Sequence, residues 1–451
     1  MTETVAEILA AYRAGDTAPA EIVARSFARL RALNDPAVFI ALRKEEDVLA
    51  EAEALDDGGK ALPLYGIPVA VKDNIDVAGL PTTAACPAFS YQPNKDATAV
   101  ARLRKAGALI LGKTNLDQFA TGLVGVRSPY GTPRNLFDAK LIPGGSSSGS
   151  GVAVGAGIVP LALGTDTAGS GRVPAAYNNI VGLKPSLGLV STFGVVPACR
   201  TLDCVSVFAL TVDDAMIALN AIAGPDDADP YSRGRLVGAV GPPPNEVRLG
   251  VPPASQRQFF GDKISAAGYD AALAKLVALG SKIVEVDFTP FHGTAQLLYE
   301  GPWVAERYLV AKDLLTQSPD AILPVTRQII EAGAKPSAAD AFAAFYRLEE
   351  LRRVRDRVFR TIDALVVPTA PTIYTLAQVE AEPVALNSKL GTYTNFVNLL
   401  DLCGLAVPAS IGANGLPFGI TLLAPGGDDA MLAAIGRQFE KANALPLGAL
   451  R

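Results

Sequence analysis

The sequence predicts an α/β fold in which a mostly parallel or mixed β-sheet is covered by helices. The chain has 451 residues, of which 49% are hydrophobic and 19% charged, as in a globular protein with a large core. Short apolar runs alternate with longer segments of helical spacing, a pattern typical of a sheet covered by helices. The alternation has no clear break between Lys72 and Arg307. We therefore expect one domain over residues 1–451.

Helices and strands can be assigned to the first half of the chain in order. Short apolar runs predict strands over Ile67–Val71, which leads into Lys72, and over Ala108–Leu111. Composition and three- or four-residue apolar spacing predict helices over Val5–Tyr12, Ile22–Leu33, Glu45–Ala54, Thr98–Lys105, Ser148–Ala156, Val173–Asn178 and Val212–Ile222.

The second half begins after residues 225–246, which are rich in Pro, Gly and Asp and predict a surface connection. Apolar runs then predict strands over Val247–Val251, Lys282–Val286, Ala364–Val367, Leu405–Ile411 and Phe418–Leu423. The segments between and after them predict helices over Ile264–Leu279, Thr294–Leu315, Ala338–Thr361 and Ala430–Ala442.

Composition excludes several classes of protein. The net charge of −5 argues against a nucleic-acid partner, and no apolar run reaches the roughly 18 residues expected of a membrane span. The N-terminus lacks the basic and apolar regions of a signal peptide, and four cysteines are too few for a disulfide framework. We therefore expect a cytoplasmic enzyme. The single histidine, His292, rules out a metal site built on two histidines.

Two clusters of Gly and Ser, Gly144–Gly151 and Gly169–Gly171, flank the apolar run Ile158–Leu163. Glycines allow the backbone to approach a ligand closely, and small neighbours leave serine hydroxyls uncovered. Asp166 and Arg172 lie beside the second cluster, where an ion pair could fix a loop. A flexible linker is the alternative, but linkers do not enclose an apolar run.

Two glycine patterns in the sequence match nucleotide-binding motifs only loosely. Gly107–Thr114 satisfies the P-loop pattern, but the residues between its glycines read as a buried strand rather than a phosphate-binding bend. Gly149–Gly155 is similar to a dinucleotide fingerprint but lacks a convincing strand before it. A nucleotide-binding module is therefore the less favoured class of function.

Gly145–Gly149 also fits the nucleophile elbow, G-x-S-x-G. That motif expects a preceding apolar strand, which Pro143 interrupts, and a histidine base. The one histidine, His292, lies in a stretch that reads as a loop. A serine nucleophile without histidine can use a lysine that burial keeps neutral. Lys72, at the end of a predicted strand, is the candidate, although it could equally cap that strand in solvent.

Four motifs in order resemble the amidase signature family. The motifs are Gly66–Asn74, Pro143–Gly149, Gly164–Arg172 and Gly182–Pro185, and the resemblance covers nearly the whole chain. The resemblance implies an amide hydrolase with a mixed-sheet fold, no cofactor and no metal. It makes Ser170 the nucleophile, Ser146 a bridging serine preceded by a cis peptide bond, and Lys72 the base.

The same resemblance assigns supporting roles around these three residues. The backbone N–H groups of Thr167, Ala168, Gly169 and Ser170 match the family's oxyanion hole. Ser147 would support the hydrogen-bond network. Asp166 and Arg172 are added as supporting residues because their charges beside the second cluster could fix its loop.

Further segments resemble allophanate hydrolases within this family, which cleave N-carboxyurea in urea or cyanurate breakdown: Gly112–Gly125, Ser146–Ser150, Asn178–Gly182, Val196–Ser206 and Leu298–Arg307. That resemblance makes Tyr299 and Arg307 the residues that bind a small anionic amide, both on one face of a helix. From spacing alone, Arg307 could instead pair with Glu300 or Glu306 on a solvated face.

The resemblance also bears on assembly and on rival activities. It implies a homodimer and a second, C-terminal domain that we expect to be absent here. The rival enzymes are a general amidase and the amidase subunit of a tRNA-dependent amidotransferase.

Overall fold

The computed structural model describes residues 3–55, 57–244 and 246–449. Its strands are β1 Phe39–Leu42, β2 Pro68–Lys72, β3 Leu109–Thr114, β4 Leu161–Asp166, β5 Val181–Lys184, β6 Cys204–Ala209, β7 Arg248–Val251, β8 Lys282–Glu285, β9 Ala364–Pro368, β10 Leu402–Ile411 and β11 Pro417–Pro425. Its α-helices are α1 Val5–Ala14, α2 Pro19–Leu33, α3 Glu45–Glu53, α4 Thr98–Lys105, α5 Ser148–Gly155, α6 Val173–Tyr177, α7 Val212–Ile222, α8 Lys263–Ala278, α9 Thr289–Glu300, α10 Val304–Gln317, α11 Pro324–Glu331, α12 Ala338–Val358, α13 Leu376–Ala381, α14 Ala385–Leu390 and α15 Asp429–Asn443.

The strands of the described residues form one mixed sheet in the order β1-β3-β2-β4-β6-β5-β10-β11-β9-β7-β8. Strand β2 runs parallel to β3 and β4, and β7 runs parallel to β8 and β9. The pairs between these two groups are antiparallel and include the long hairpin of β10 and β11. The predicted mixed sheet is therefore confirmed.

The central strands are buried on both faces, so successive side chains enter different cores. Val69 and Val71 of β2 pack in a cluster with residues of α4 and α7, whereas Ala70 packs in a second cluster with residues of α2 and α5. Alternation of side chains along a strand explains this division. Lys72, the last residue of β2, thus emerges from between two apolar layers.

Most of the predicted elements are confirmed, with ends shifted by a few residues. Strands β1, β4, β5 and β6 were not predicted. Strands β4, β5 and β6 are short and fully buried, so they show no alternation of apolar and polar residues, and β1 has only four residues. Residue 245 lies outside the described residues, and the described residues of the predicted surface connection over 225–246 contain no helix or strand. None of the described helices is long and apolar enough to cross a membrane.

The prediction of one helix over Thr294–Leu315 is wrong. Two helices, α9 and α10, occupy this region, with a break at Gly301 and Pro302. Proline has no backbone N–H and disfavours helical backbone in the residue before it, so the helix ends there.

Candidate active site

The Lys72 side chain lies at the centre of the candidate site and is fully buried. Its Nζ donates hydrogen bonds to Ser146 Oγ and to Thr165 Oγ1, each at 2.8 Å. Thr165 stands near the end of β4, next to β2, and its hydroxyl also accepts a bond from the Asn74 amide at 3.2 Å. The alternative that Lys72 caps its strand in solvent is therefore wrong.

Burial lowers the pKa of Lys72 to about 7. The carboxylates of Asp117, Asp166 and Asp203 oppose this shift, whereas the Arg307 guanidinium adds to it. A neutral amine near pH 7 can take up a proton, which an ordinary lysine at this pH cannot do.

Ser146 and Ser147 form the turn that leads into α5, and both are buried. The peptide bond between Gly145 and Ser146 is cis, as expected. Ser146 O accepts a bond from the Asp117 N–H at 3.0 Å. Ser147 Oγ donates to the Thr165 carbonyl at 3.2 Å, so this second serine ties the turn to β4.

The approach to Ser146 is closely packed. A Cβ at Gly145 would lie 2.1 Å from Asp117 Oδ2 and 2.5 Å from the Gly125 nitrogen. The Asp117 carboxylate itself accepts bonds from the N–H groups of Gly125 and Arg127, both at 2.9 Å. Glycine is therefore required at position 145 for the loops to approach each other.

Asp166 and Arg172 form a fully buried ion pair at the second glycine cluster. Asp166 accepts bonds from Arg172 Nε at 2.8 Å and Nη2 at 3.0 Å, and from the N–H groups of Gly169 and Gly171. Burial alone would raise the pKa of Asp166, but Arg172 and these hydrogen bonds outweigh it and lower the pKa. The ionised carboxylate thus holds the turn between β4 and α6.

Ser170 lies in this turn and is almost fully buried. Its hydroxyl donates to the Gly122 carbonyl at 3.4 Å, and within the described residues no hydrogen bond joins it to Ser146. Of the predicted oxyanion donors, the Gly169 N–H already donates to Asp166 Oδ1 at 2.9 Å, whereas the N–H groups of Ala168 and Ser170 donate no hydrogen bond in the described structure.

Tyr299 and Arg307 meet, but from two helices rather than from one face of a single helix. Arg307 Nη2 lies 3.5 Å from Tyr299 Oη, and the guanidinium stands 5.5 Å from the ring centroid. Arg307 is 2% exposed, and its Nη1 donates to Thr121 Oγ1 at 3.0 Å and to the Ala120 carbonyl. Thr121 adjoins Gly122, which accepts from Ser170, so the cation lies near that serine.

The alternative that Arg307 pairs with Glu300 or Glu306 on a solvated face is not found among the described ion pairs. Glu306 instead accepts bonds from Thr201, including one from its N–H at 2.9 Å. Burial alone would lower the pKa of Arg307, but nearby groups, Tyr299 first among them, outweigh it and raise the pKa. The guanidinium therefore stays charged in a nearly closed site.

His292 lies in helix α9, not in a loop as expected, and its ring packs against Phe288 and Tyr393. In the described part of the chain, no group of three or more His, Cys, Asp or Glu side chains is placed to hold a metal ion.

Sequence reasoning assigned no role to three residues that the structure brings into the site. Thr165 is the second hydrogen-bond acceptor of Lys72, Asp117 holds the Ser146 backbone, and Asp203 accepts a bond from Thr167 Oγ1 at 2.5 Å. All three lie in the motifs that carry the family resemblance, but their partners are distant in sequence. Only the sheet and its loops bring them together.

Comparison with known proteins places this geometry in a family. Residues 21–433 match the sequence model of the amidase family. The urea amidolyase of Lachancea kluyveri is 48% identical in an alignment that covers 92% of this chain. The chain spans only about a quarter (23%) of the length of that relative.

Two further relatives are matched over most of their own length. One subunit of the glutamyl-tRNA(Gln) amidotransferase of Symbiobacterium thermophilum is 36% identical, with 95% of this chain and 94% of that protein aligned. The solved structure of Kluyveromyces lactis allophanate hydrolase has 44% identity and a TM-score of 0.92, with 98% of this chain and 73% of that chain covered. The chain therefore belongs to the amidase family.

Proposed function

We propose that the chain hydrolyses the terminal amide of allophanate, with release of ammonia, through Ser170, Ser146 and Lys72. The hydrogen bond between the buried Lys72 amine and Ser146 carries the proposal, because it joins a base of suitable pKa to a serine relay. The Ser170 hydroxyl lies in the adjoining turn.

In the proposed reaction, the Ser170 hydroxyl turns from the Gly122 carbonyl to Ser146. Ser170 Oγ then attacks the amide carbon while its proton passes through Ser146 to neutral Lys72. The developing oxyanion is stabilised by the free N–H groups of Ala168 and Ser170. When the C–N bond breaks, Lys72 returns the proton to the leaving amine, which departs as ammonia.

Water then attacks the acyl-enzyme along the same proton path and restores Ser170. Overall, one allophanate monoanion and one water molecule give one dicarboxylate dianion and one ammonium ion. Neither step needs an oxidant or a reductant.

The choice of allophanate is supported by a buried cation near the proposed nucleophile. A guanidinium offers a planar pair of donors to a carboxylate, and the Tyr299 hydroxyl beside it adds a third. The sequence similarity to the urea amidolyase of Lachancea kluyveri and to the allophanate hydrolase of Kluyveromyces lactis supports the same substrate.

A second candidate is glutamine hydrolysis within a tRNA-dependent amidotransferase, favoured by the 36% identity to the glutamyl-tRNA(Gln) amidotransferase chain over nearly the full length. Ammonia release from allophanate, biuret, malonamate and glutamine, each measured under steady-state conditions, distinguishes the two. We expect allophanate to have the highest kcat/KM and Ser170→Ala to abolish turnover. If glutamine is the better substrate, or Ser170→Ala turns over allophanate as wild type does, the proposal is wrong.

We also propose a cytoplasmic homodimer. Four buried, free cysteines support a reducing compartment, and the family resemblance supports the dimer. Light scattering coupled to size-exclusion chromatography gives the mass in solution, and a monomeric mass would contradict the dimer.

A further inference from the structure

The loop 198–203 lies against the turn Thr167–Ser170, and Asp203 makes the contact. Asp203 Oδ1 accepts bonds from Thr167 Oγ1 at 2.5 Å and from the Cys199 N–H at 3.1 Å, and Oδ2 accepts from the Ala198 N–H at 2.8 Å. One carboxylate therefore fixes both its own loop and the side chain at the start of the turn.

The outer side of the same loop holds helix α10, which carries Arg307. Cys199 Sγ lies 3.5 Å from the Trp303 carbonyl, and the Thr201 N–H donates to Glu306 at 2.9 Å. A buried amide strengthens the inner contact, because Asn398 Nδ2 donates to both the Asp166 and Leu202 carbonyls at 2.8 Å. The loop thus joins the turn that bears Ser170 to the helix that bears Arg307.

Asp203 is buried within the charge cluster of the site. The groups that act on Lys72 are Asp117, Asp166, Asp203 and Arg307. Burial raises the pKa of Asp203 to about 6. The hydrogen bonds from Thr167 and the two loop amides, and the positive charge of Arg307, lower this pKa but do not outweigh burial. At neutral pH its negative charge stabilises the Lys72 ammonium.

We propose that Asp203 is a positioning residue for amide hydrolysis, whose carboxylate fixes Thr167 and the turn with the oxyanion donors against the loop that supports Arg307. The inference rests on the proposed function and adds a residue to it. Because Asp203 acts through Thr167 rather than on the substrate, its loss affects the transition state more than substrate capture.

The variant Asp203→Asn keeps the shape of the side chain but removes its charge and places an NH2 group against donors. We expect kcat for allophanate to fall about 10- to 100-fold, less than the roughly 100- to 1,000-fold typical of removing an oxyanion donor. KM should stay within about threefold of wild type.

The pH profile provides a readout that a purely structural role would not move. Without the Asp203 charge the Lys72 ammonium is less stable, so the lower limb of kcat against pH should move to lower pH by about half a unit or more. Asp214→Asn is the matched control: Asp214 is also buried, its pKa is also raised to about 6, and it accepts bonds from the N–H groups at the start of α1. The control should leave this limb unchanged.

Thr167→Val tests the same contact if Asp203→Asn does not fold, because it keeps the carboxylate and removes only the hydroxyl. We expect its kcat to fall while KM changes little. Wild-type kcat in a folded Asp203→Asn or Thr167→Val variant would overturn the inference, as would an unshifted pH limb in Asp203→Asn. Failure of the wild-type chain to hydrolyse allophanate would instead refute the proposed function.

Discussion

Replacing the buried lysine should abolish activity and yet stabilise the fold at neutral pH. In Lys72→Met a flexible apolar chain takes the place of an amine whose pKa is lowered from 10.5 to about 7. Each pKa unit corresponds to about 1.4 kcal/mol, so burial of this amine destabilises the native state by about 4 kcal/mol at pH 7. The variant also loses the two hydrogen bonds to Ser146 and Thr165, which stabilise the native state by about 1 kcal/mol each. Their loss therefore cancels about 2 kcal/mol of the stability that Lys72→Met gains.

The net gain of about 2 kcal/mol at pH 7 should disappear as the pH rises. Between pH 7 and 10.5 the unfolded chain binds a proton at Lys72 that the native protein does not, so wild-type stability increases with pH across this window. The advantage of Lys72→Met should therefore shrink by about 2 kcal/mol between pH 7 and 9.

Thermal unfolding of both proteins at pH 7, 8 and 9 measures this effect, and a rise in Tm of about 2–4 °C is expected at pH 7. Lys113→Met is the matched control. Lys113 is also fully buried, but it forms an ion pair with Asp73 at 3.1 Å, so its removal should cost about 3–5 kcal/mol. A lower Tm for Lys72→Met at pH 7, or a gain that is the same at pH 7 and 9, would refute the reasoning.

Three further predictions concern the proposed reaction and the loops around it. Since Lys72 must be neutral to accept a proton, kcat/KM for allophanate should rise with pH through about 7; a profile that is flat from pH 5.5 to 8.5 would contradict this. Arg307→Ala should raise KM for allophanate at least about tenfold and leave biuret, which has no carboxylate, nearly unaffected; equal effects on both substrates would argue against a carboxylate site. Gly145→Ala should destabilise the fold by about 1–3 kcal/mol or more, because its Cβ would clash with Asp117, whereas Gly293→Ala, with open space in helix α9, should be neutral or slightly stabilising. Urea denaturation of the two alanine variants measures the difference, and equal midpoints would rule out the proposed clash.

The sequence predicted best those features of the fold and site that are set by residues close together along the chain. Strand β2 ends at Lys72 because an apolar run stops at a charged residue, and the glycine clusters mark close approaches of the backbone. The family motifs correctly predicted the mixed sheet and the cis bond before Ser146. These features depend on neighbours along the chain.

Features that depend on distant partners could not be predicted in this way. Thr165 contacts Lys72 only because β4 pairs with β2, and β4 is one of the strands without alternation. The Gly169 N–H is engaged by Asp166, which the motif alone does not reveal. Tyr299 and Arg307 do meet, but they lie on two helices separated by a break at Pro302. The eight-residue spacing had predicted a single continuous helix.

The placement of helices α9 to α12 has a consequence for how substrate preference could change. All four helices belong to the single segment that connects β8 to β9, and among the described residues this segment contributes no strand to the sheet that carries Lys72 and the serine turns. Insertions or substitutions there alter the surroundings of Arg307 without shifting the register of any strand. Under the proposed function, recombination of this segment between family members would exchange the surroundings of Arg307 and retain Lys72 and the serine turns, which makes residues 286–363 a natural unit for grafting.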